Sequence, residues 1–110
     1  MTTTRIRFMR LIVFFDLPME TYDQKRSYIK FRRFLIHDGY LMMQKSVYTK
    51  LVINDQNSSA AIARLKLNKP HYGLVQLLKV TEKQYANIEY ISGSSNSHNV
   101  IDTLESLLIL

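Results

Sequence analysis

Apolar and polar positions along this chain change period several times, and each change predicts an element. Leu11-Ile-Val-Phe-Phe15 is an unbroken apolar run, too short to cross a bilayer, and it has the character of a strand buried on both faces. The strand is predicted over residues 6–16. It stops at the carboxylate of Asp16, and Pro18 then blocks further ladder pairing. An Asp at a strand end commonly bonds its own backbone in a turn. A carboxylate on so rigid a platform can equally be aimed at a ligand, and the pattern alone leaves both readings open.

Thr21-Tyr-Asp-Gln24 fits a capping box, in which Thr21 and Gln24 satisfy each other's free N–H groups. A helix follows to about residue 38, where Gly39 supplies a left-handed stop. On a 3.6-residue wheel Tyr28, Phe31, Phe34 and Leu35 gather on one side, and Asp23, Arg26, Lys30, Arg33 and His37 on the other. That polar stripe is either a solvated face or a track for a phosphate backbone.

Residues 40–53 alternate as a strand does. Leu41, Met43, Val47, Leu51 and Ile53 share one side, and Tyr40, Met42, Gln44, Ser46, Tyr48 and Lys50 the other. The stretch exceeds ordinary strand length, so a break or bulge is predicted at Gln44-Lys45-Ser46. Residues 54–59 read as a loop, with Ser58 or Ser59 capping a second helix from residue 60 to about 68, ended by Pro70. Residues 73–81 read as another buried strand, and residues 85–91 as a further, more polar one. Gly93-Ser-Ser-Asn-Ser-His-Asn99 has linker composition, and residues 100–110 form an apolar tail that docks either on its own domain or on a neighbouring surface. The division is therefore a domain over residues 1–92 and a linker with a docking tail over 93–110. The element order predicts an α+β sandwich of ferredoxin-like βαββαβ topology, with the first strand central and an additional C-terminal strand.

Composition narrows the chemistry. The 110 residues make one domain large enough to bury a core, and 46% hydrophobic with 22% charged residues is ordinary for a folded soluble protein. Cysteine is absent, which removes disulfides, thiolate metal sites and a cysteine nucleophile. His37, His71 and His98 show no ligand spacing, so a zinc site is not expected. With no run of membrane-spanning length and no signal-peptide core in the first residues, a cytoplasmic protein without a membrane partner is expected. Net charge is +6 and uneven: residues 1–55 hold ten Lys/Arg against five Asp/Glu, and residues 56–110 five against four. A basic half points to a polyanionic partner, of which nucleic acid is the commonest.

Asp16 is the one acid in a structurally committed position with the character of a ligand. A single carboxylate holds Mg²⁺ weakly, because magnesium keeps its waters and needs further oxygens. A two-fold dimer would bring two copies of Asp16 together and double the acidic ligands, which could then activate water or steady a leaving oxygen. Ser46 and Tyr48 can donate hydrogen bonds to a phosphate, or simply pack as strand side chains. The sequence has no glycine-rich phosphate loop, supported Ser/His/Asp arrangement or paired-acid motif. An RNA-recognition motif shares the fold, but His71-Tyr-Gly-Leu-Val75 falls short of its aromatic signature.

The strand ending in Phe-Phe-Asp16, the basic first helix and Gln44-Lys-Ser-Val-Tyr48 together resemble the second CRISPR-associated (Cas) family, the small spacer-acquisition subunits, over residues 8–110. Leu-Pro-Met-Glu-Thr after Asp16 is most similar to versions from single-effector-nuclease systems. The resemblance implies a ferredoxin-like homodimer with Asp16 of each protomer as a Mg²⁺ ligand and catalytic residue facing its mate across the dyad. It implies a metal-dependent endonuclease, usually of the single-stranded RNA type, and a scaffold that holds the integrase subunit with duplex protospacer DNA across it. Arg26, Lys30 and Arg33 match no family motif; their assignment to nucleic-acid binding, like that of Ser46 and Tyr48, rests on the helical stripe and the strand. A non-catalytic regulatory or metabolite-binding domain on the same fold is the alternative, and it predicts no salt-sensitive DNA binding.

Overall fold

A computed structural model of the chain describes residues 7–93. The predicted first strand is β1 (Met9–Asp16); its expected first residue, Ile6, lies outside the described residues. Then come α1 (Tyr22–His37), β2 (Leu41–Gln44), β3 (Val47–Val52), α2 (Asp55–Leu67), β4 (Leu74–Thr81) and α3 (Glu82–Ala86). The strands form one sheet in the order β2-β3-β1-β4, and every neighbouring pair is antiparallel. This is the ferredoxin-like α+β sandwich, with β1 central as its apolar run requires.

Alternation sorts the sheet into two faces. Leu11, Val13 and Phe15 of β1, Met42 of β2, and Tyr48 and Val52 of β3 point to the helices. There they meet Phe31 and Leu35 of α1, and Ala61 and Leu65 of α2. Arg10, Ile12, Phe14 and Asp16 alternate onto the other, open face, opposite Leu51, Thr49 and Val47 of β3 and opposite Val80, Leu78, Gln76 and Leu74 of β4. Within the core Phe15 is the hub of an aromatic cluster, edge-on to Phe31 at 5.4 Å and Tyr28 at 6.3 Å, and 5.6 Å from Tyr48.

The helix ends follow local chemistry. Thr21 Oγ1 accepts from Gln24 N–H at 3.1 Å and Gln24 Oε1 accepts from Thr21 N–H at 3.0 Å, which is the expected capping box. Gly39 at φ +94° takes the chain out of α1. The long alternating stretch breaks as expected: a register shift falls between Met42 and Gln44, and Lys45 and Ser46 form the turn.

Two expectations need correction. The second helix is capped by Asn54, not by Ser58 or Ser59: Asn54 Oδ1 accepts from Asn57 N–H at 2.6 Å. The helix thus starts five residues early and buries Ser58 within it. The strand expected over residues 85–91 is also not formed. Thr81 and Gln84 make a second capping box that starts α3 instead, and residues 87–93 add no strand. This helix buries none of its own residues. It is tied to the open face by Arg10, whose Nε donates to both carboxylate oxygens of Glu82 (2.9 and 3.1 Å) and whose guanidinium lies 4.5 Å from the Tyr85 ring centroid. Of the linker and apolar tail expected over residues 93–110, all but Gly93 lies outside the described residues.

A polar cluster closes the end of α1. Arg64 Nε donates to Asp38 Oδ1 at 2.7 Å, and the Lys50 ammonium donates to the Asp38 carbonyl. Burial, reinforced by the Asp38 carboxylate and opposed by Arg64, pushes the Tyr40 phenol up to about 12. Its hydroxyl is buried without a hydrogen-bond partner among the described residues. Because the folded state holds this proton more tightly than the unfolded chain, Tyr40's contribution is intact below pH 10 and falls as pH rises from there toward 12. Urea unfolding at both ends of that window should show a loss of stability that Tyr40→Phe largely abolishes. At pH 7 the same change should be close to neutral, since it removes an unsatisfied hydroxyl.

Candidate functional site

Asp16 ends β1 on the open face, and its side chain is exposed. Its neighbour Phe15 faces the other way, into the aromatic cluster, and Phe15 N–H donates to the Ser46 carbonyl at 3.0 Å. The carboxylate is thus carried by a backbone anchored on both sides of the sheet. No hydrogen-bond donor among the described residues meets it, so the turn-forming role open to it in the sequence is not realised. Nor does any group of three or more His, Cys, Asp or Glu that could hold a metal occur among the described residues.

The loop before β4 packs against this strand end. Asp16 stands in register with Leu74, and a Cβ built on Gly73 would lie 2.4 Å from the Asp16 carbonyl oxygen and 2.9 Å from Leu17 Cα. Gly73 also holds φ +87°, a conformation side chains rarely adopt. Gly73→Ala is expected to cost roughly 1–3 kcal/mol for the backbone conformation, and more for the collision with backbone. Gly93→Ala carries only the conformational cost, since a Cβ at Gly93 (φ +78°) meets nothing within 4 Å. Urea midpoints of the two variants separate collision from strain, with Gly73→Ala the less stable.

The basic stripe of α1 is where the wheel puts it. Arg26, Lys30 and Arg33 are all exposed, and the Arg26 guanidinium sits 5.8 Å from the Tyr22 ring centroid. Arg32 is not part of the stripe: it is buried, and its Nε and Nη2 have no hydrogen-bond partner among the described residues. The stripe forms one wall of a concavity of about 650 Å³ that also includes Asp23, His71 and Tyr72. The two aromatic side chains come from the same loop that reaches Gly73. Sequence reasoning missed them as site residues, because nothing in the local pattern ties positions 71 and 72 to a helix some forty residues earlier.

The structure divides the remaining candidates. Ser46 is exposed in the β2–β3 turn, with its carbonyl beside β1 through the bond to Phe15. Tyr48 is fully buried on the helix side of β3. Its ring fills the core against Phe15, so it has no surface to present to a phosphate; the alternation that put it on one side with Ser46 did not say that this side faces inward. No helix among the described residues is long and apolar enough to cross a membrane.

Sequence comparison bears on what these features serve. A profile of the family described as CRISPR associated protein Cas2 matches residues 9–88, which span Asp16, the basic stripe and the 71–73 loop. The chain is 48% identical over 102 residues to the CRISPR-associated endoribonuclease Cas2 of Treponema denticola, covering 93% of this chain and 100% of that protein. It is 46% identical over 89 residues to the protein of the same name from Streptococcus mutans serotype c (81% and 82% covered), and 44% identical over 85 residues to that of Acidovorax ebreus (77% and 83% covered).

Proposed function

The chain belongs to the CRISPR-associated Cas2 family, and on that premise we propose that it is a spacer-acquisition subunit, a homodimer that holds duplex protospacer DNA and the integrase subunit, with a metal-dependent endoribonuclease activity centred on Asp16. The observation that carries this reading is the division of labour between two regions. Three basic side chains, Arg26, Lys30 and Arg33, share one concavity on α1. The strand-end carboxylate of Asp16 is exposed on the open face. Contact with a phosphate backbone uses many cations and no acid, whereas phosphodiester hydrolysis at Asp16 draws on one acid per chain.

The endoribonuclease names of the relatives support the catalytic part. Asp16 suits Mg²⁺ as one ligand of a shared set, because it is exposed, rigidly held and free of competing donors. The second carboxylate comes from the partner copy. Large apolar side chains on the open face, including Phe14, Leu41, Leu51, Leu74 and Leu78, are exposed and favour pairing through the face that carries Asp16. When bound, the ion supplies charge neutralisation at the phosphate and an acidified water. Asp16 would hold that ion, while Gly73 and the Phe15 anchor keep the carboxylate in place.

Asp16→Ala should abolish Mg²⁺-dependent cleavage of single-stranded RNA and leave duplex DNA affinity within about twofold, since every phosphate-binding cation is retained. Cleavage that survives the change would remove Asp16 from the catalytic role. A large drop in duplex affinity would contradict the division of labour.

A further inference from the structure

The concavity over α1 differs from a simple phosphate track, because part of its wall is aromatic. Tyr72 is 43% exposed and lines the same space as Arg26, Lys30 and Arg33, with His71 beside it. The three cations rise along the helix in steps of about 6 and 4.5 Å, so successive phosphates of one strand can meet separate side chains. They outnumber Asp23, the one carboxylate among the lining residues. A double helix turns its bases inward, already stacked, and gives a ring in the wall nothing to touch. An unpaired strand presents both its phosphates and the faces of its bases.

We infer that this concavity is a binding site for an unpaired stretch of nucleic-acid strand, with Tyr72 stacking on a base and Arg26, Lys30 and Arg33 holding the flanking phosphates. The inference rests on the nucleic-acid reading of the stripe and adds strandedness and an aromatic stack. The volume of about 650 Å³, open on one side, is enough to seat a group the size of one nucleotide unit. The position also connects the two functional regions: Tyr72 immediately precedes Gly73, whose backbone closely approaches the Asp16 carbonyl.

The test compares a short thymidine oligonucleotide with an abasic strand of equal length, each titrated against the full chain by fluorescence anisotropy. The wild type should bind the intact strand roughly tenfold more tightly, the size of one base–aromatic stack. Tyr72→Leu should lower the intact strand to the abasic level and leave duplex affinity unchanged, while Tyr72→Phe keeps the ratio. An RNA strand run beside the DNA identifies, by the larger ratio, which sugar the site prefers. A ratio near one for both strands in the wild type overturns the site, as does a full ratio in Tyr72→Leu. Should Arg26→Ala/Lys30→Ala/Arg33→Ala leave duplex affinity intact, the failure is instead that of the underlying basic-stripe reading.

Discussion

Replacing Arg26, Lys30 and Arg33 together by alanine is expected to reduce the salt dependence of duplex DNA binding by about 2.7 in the log–log slope, about 0.9 for each phosphate no longer neutralised. Affinity at low salt should fall by orders of magnitude, and the gap to wild type should narrow as salt rises. The expectation follows from geometry. All three side chains are exposed, lie on one helix face and line one concavity. None is tied up in an ion pair among the described residues, so all three are free to meet phosphate. Stability should scarcely change, because surface substitutions of this kind usually stay within about 0.5 kcal/mol each. An unchanged slope, measured by titration across a salt series, would sink the assignment of this surface.

The second large effect concerns stability. Phe15→Ala should destabilise the fold by about 3–5 kcal/mol, the range for truncating a buried aromatic. Phe15 is nearly inaccessible, and its ring meets Tyr28, Phe31 and Tyr48, so the vacated volume is bounded by rigid rings that collapse poorly. Domains of this size hold only about 5–15 kcal/mol in all, so the variant should unfold at much lower urea. Phe15→Leu keeps much of the volume and should cost clearly less. Equal midpoints for Phe15→Ala and wild type would show that this cluster is not what anchors β1, and with it Asp16.

What was legible in the sequence was mostly local. The Thr21–Gln24 capping box, the Gly39 stop and the break at residues 44–46 each depend on a few adjacent residues, and each formed. The unbroken apolar run of β1 implied a central strand, and that one placement constrained the sheet order. Errors arose where two local signals competed. Asn54 and the serines at 58 and 59 all suit a cap, and the earliest one wins: starting at Asn54 adds more than a turn of helix and carries Ser58 into its buried face. Thr81-Glu-Lys-Gln84 carries the same capping signature as Thr21–Gln24, but it follows directly on a strand, and a strand reading of residues 85–91 passed over it. For Tyr48 the sequence leaves phosphate contact and packing both open, because alternation separates faces without saying which is buried; the fold buries it. The groove was half legible: the wheel found its three cations, but His71 and Tyr72 join them only through the fold.

Spacer acquisition is proposed to depend on the basic surface of α1 and not on catalysis by Asp16. The most direct test is reconstituted spacer integration with the integrase partner, comparing wild type, Asp16→Ala and the variant lacking Arg26, Lys30 and Arg33. Integration near the wild-type level is expected for Asp16→Ala, and severe loss for the triple variant. Loss with Asp16→Ala alongside wild-type integration by the triple variant would contradict that dependence.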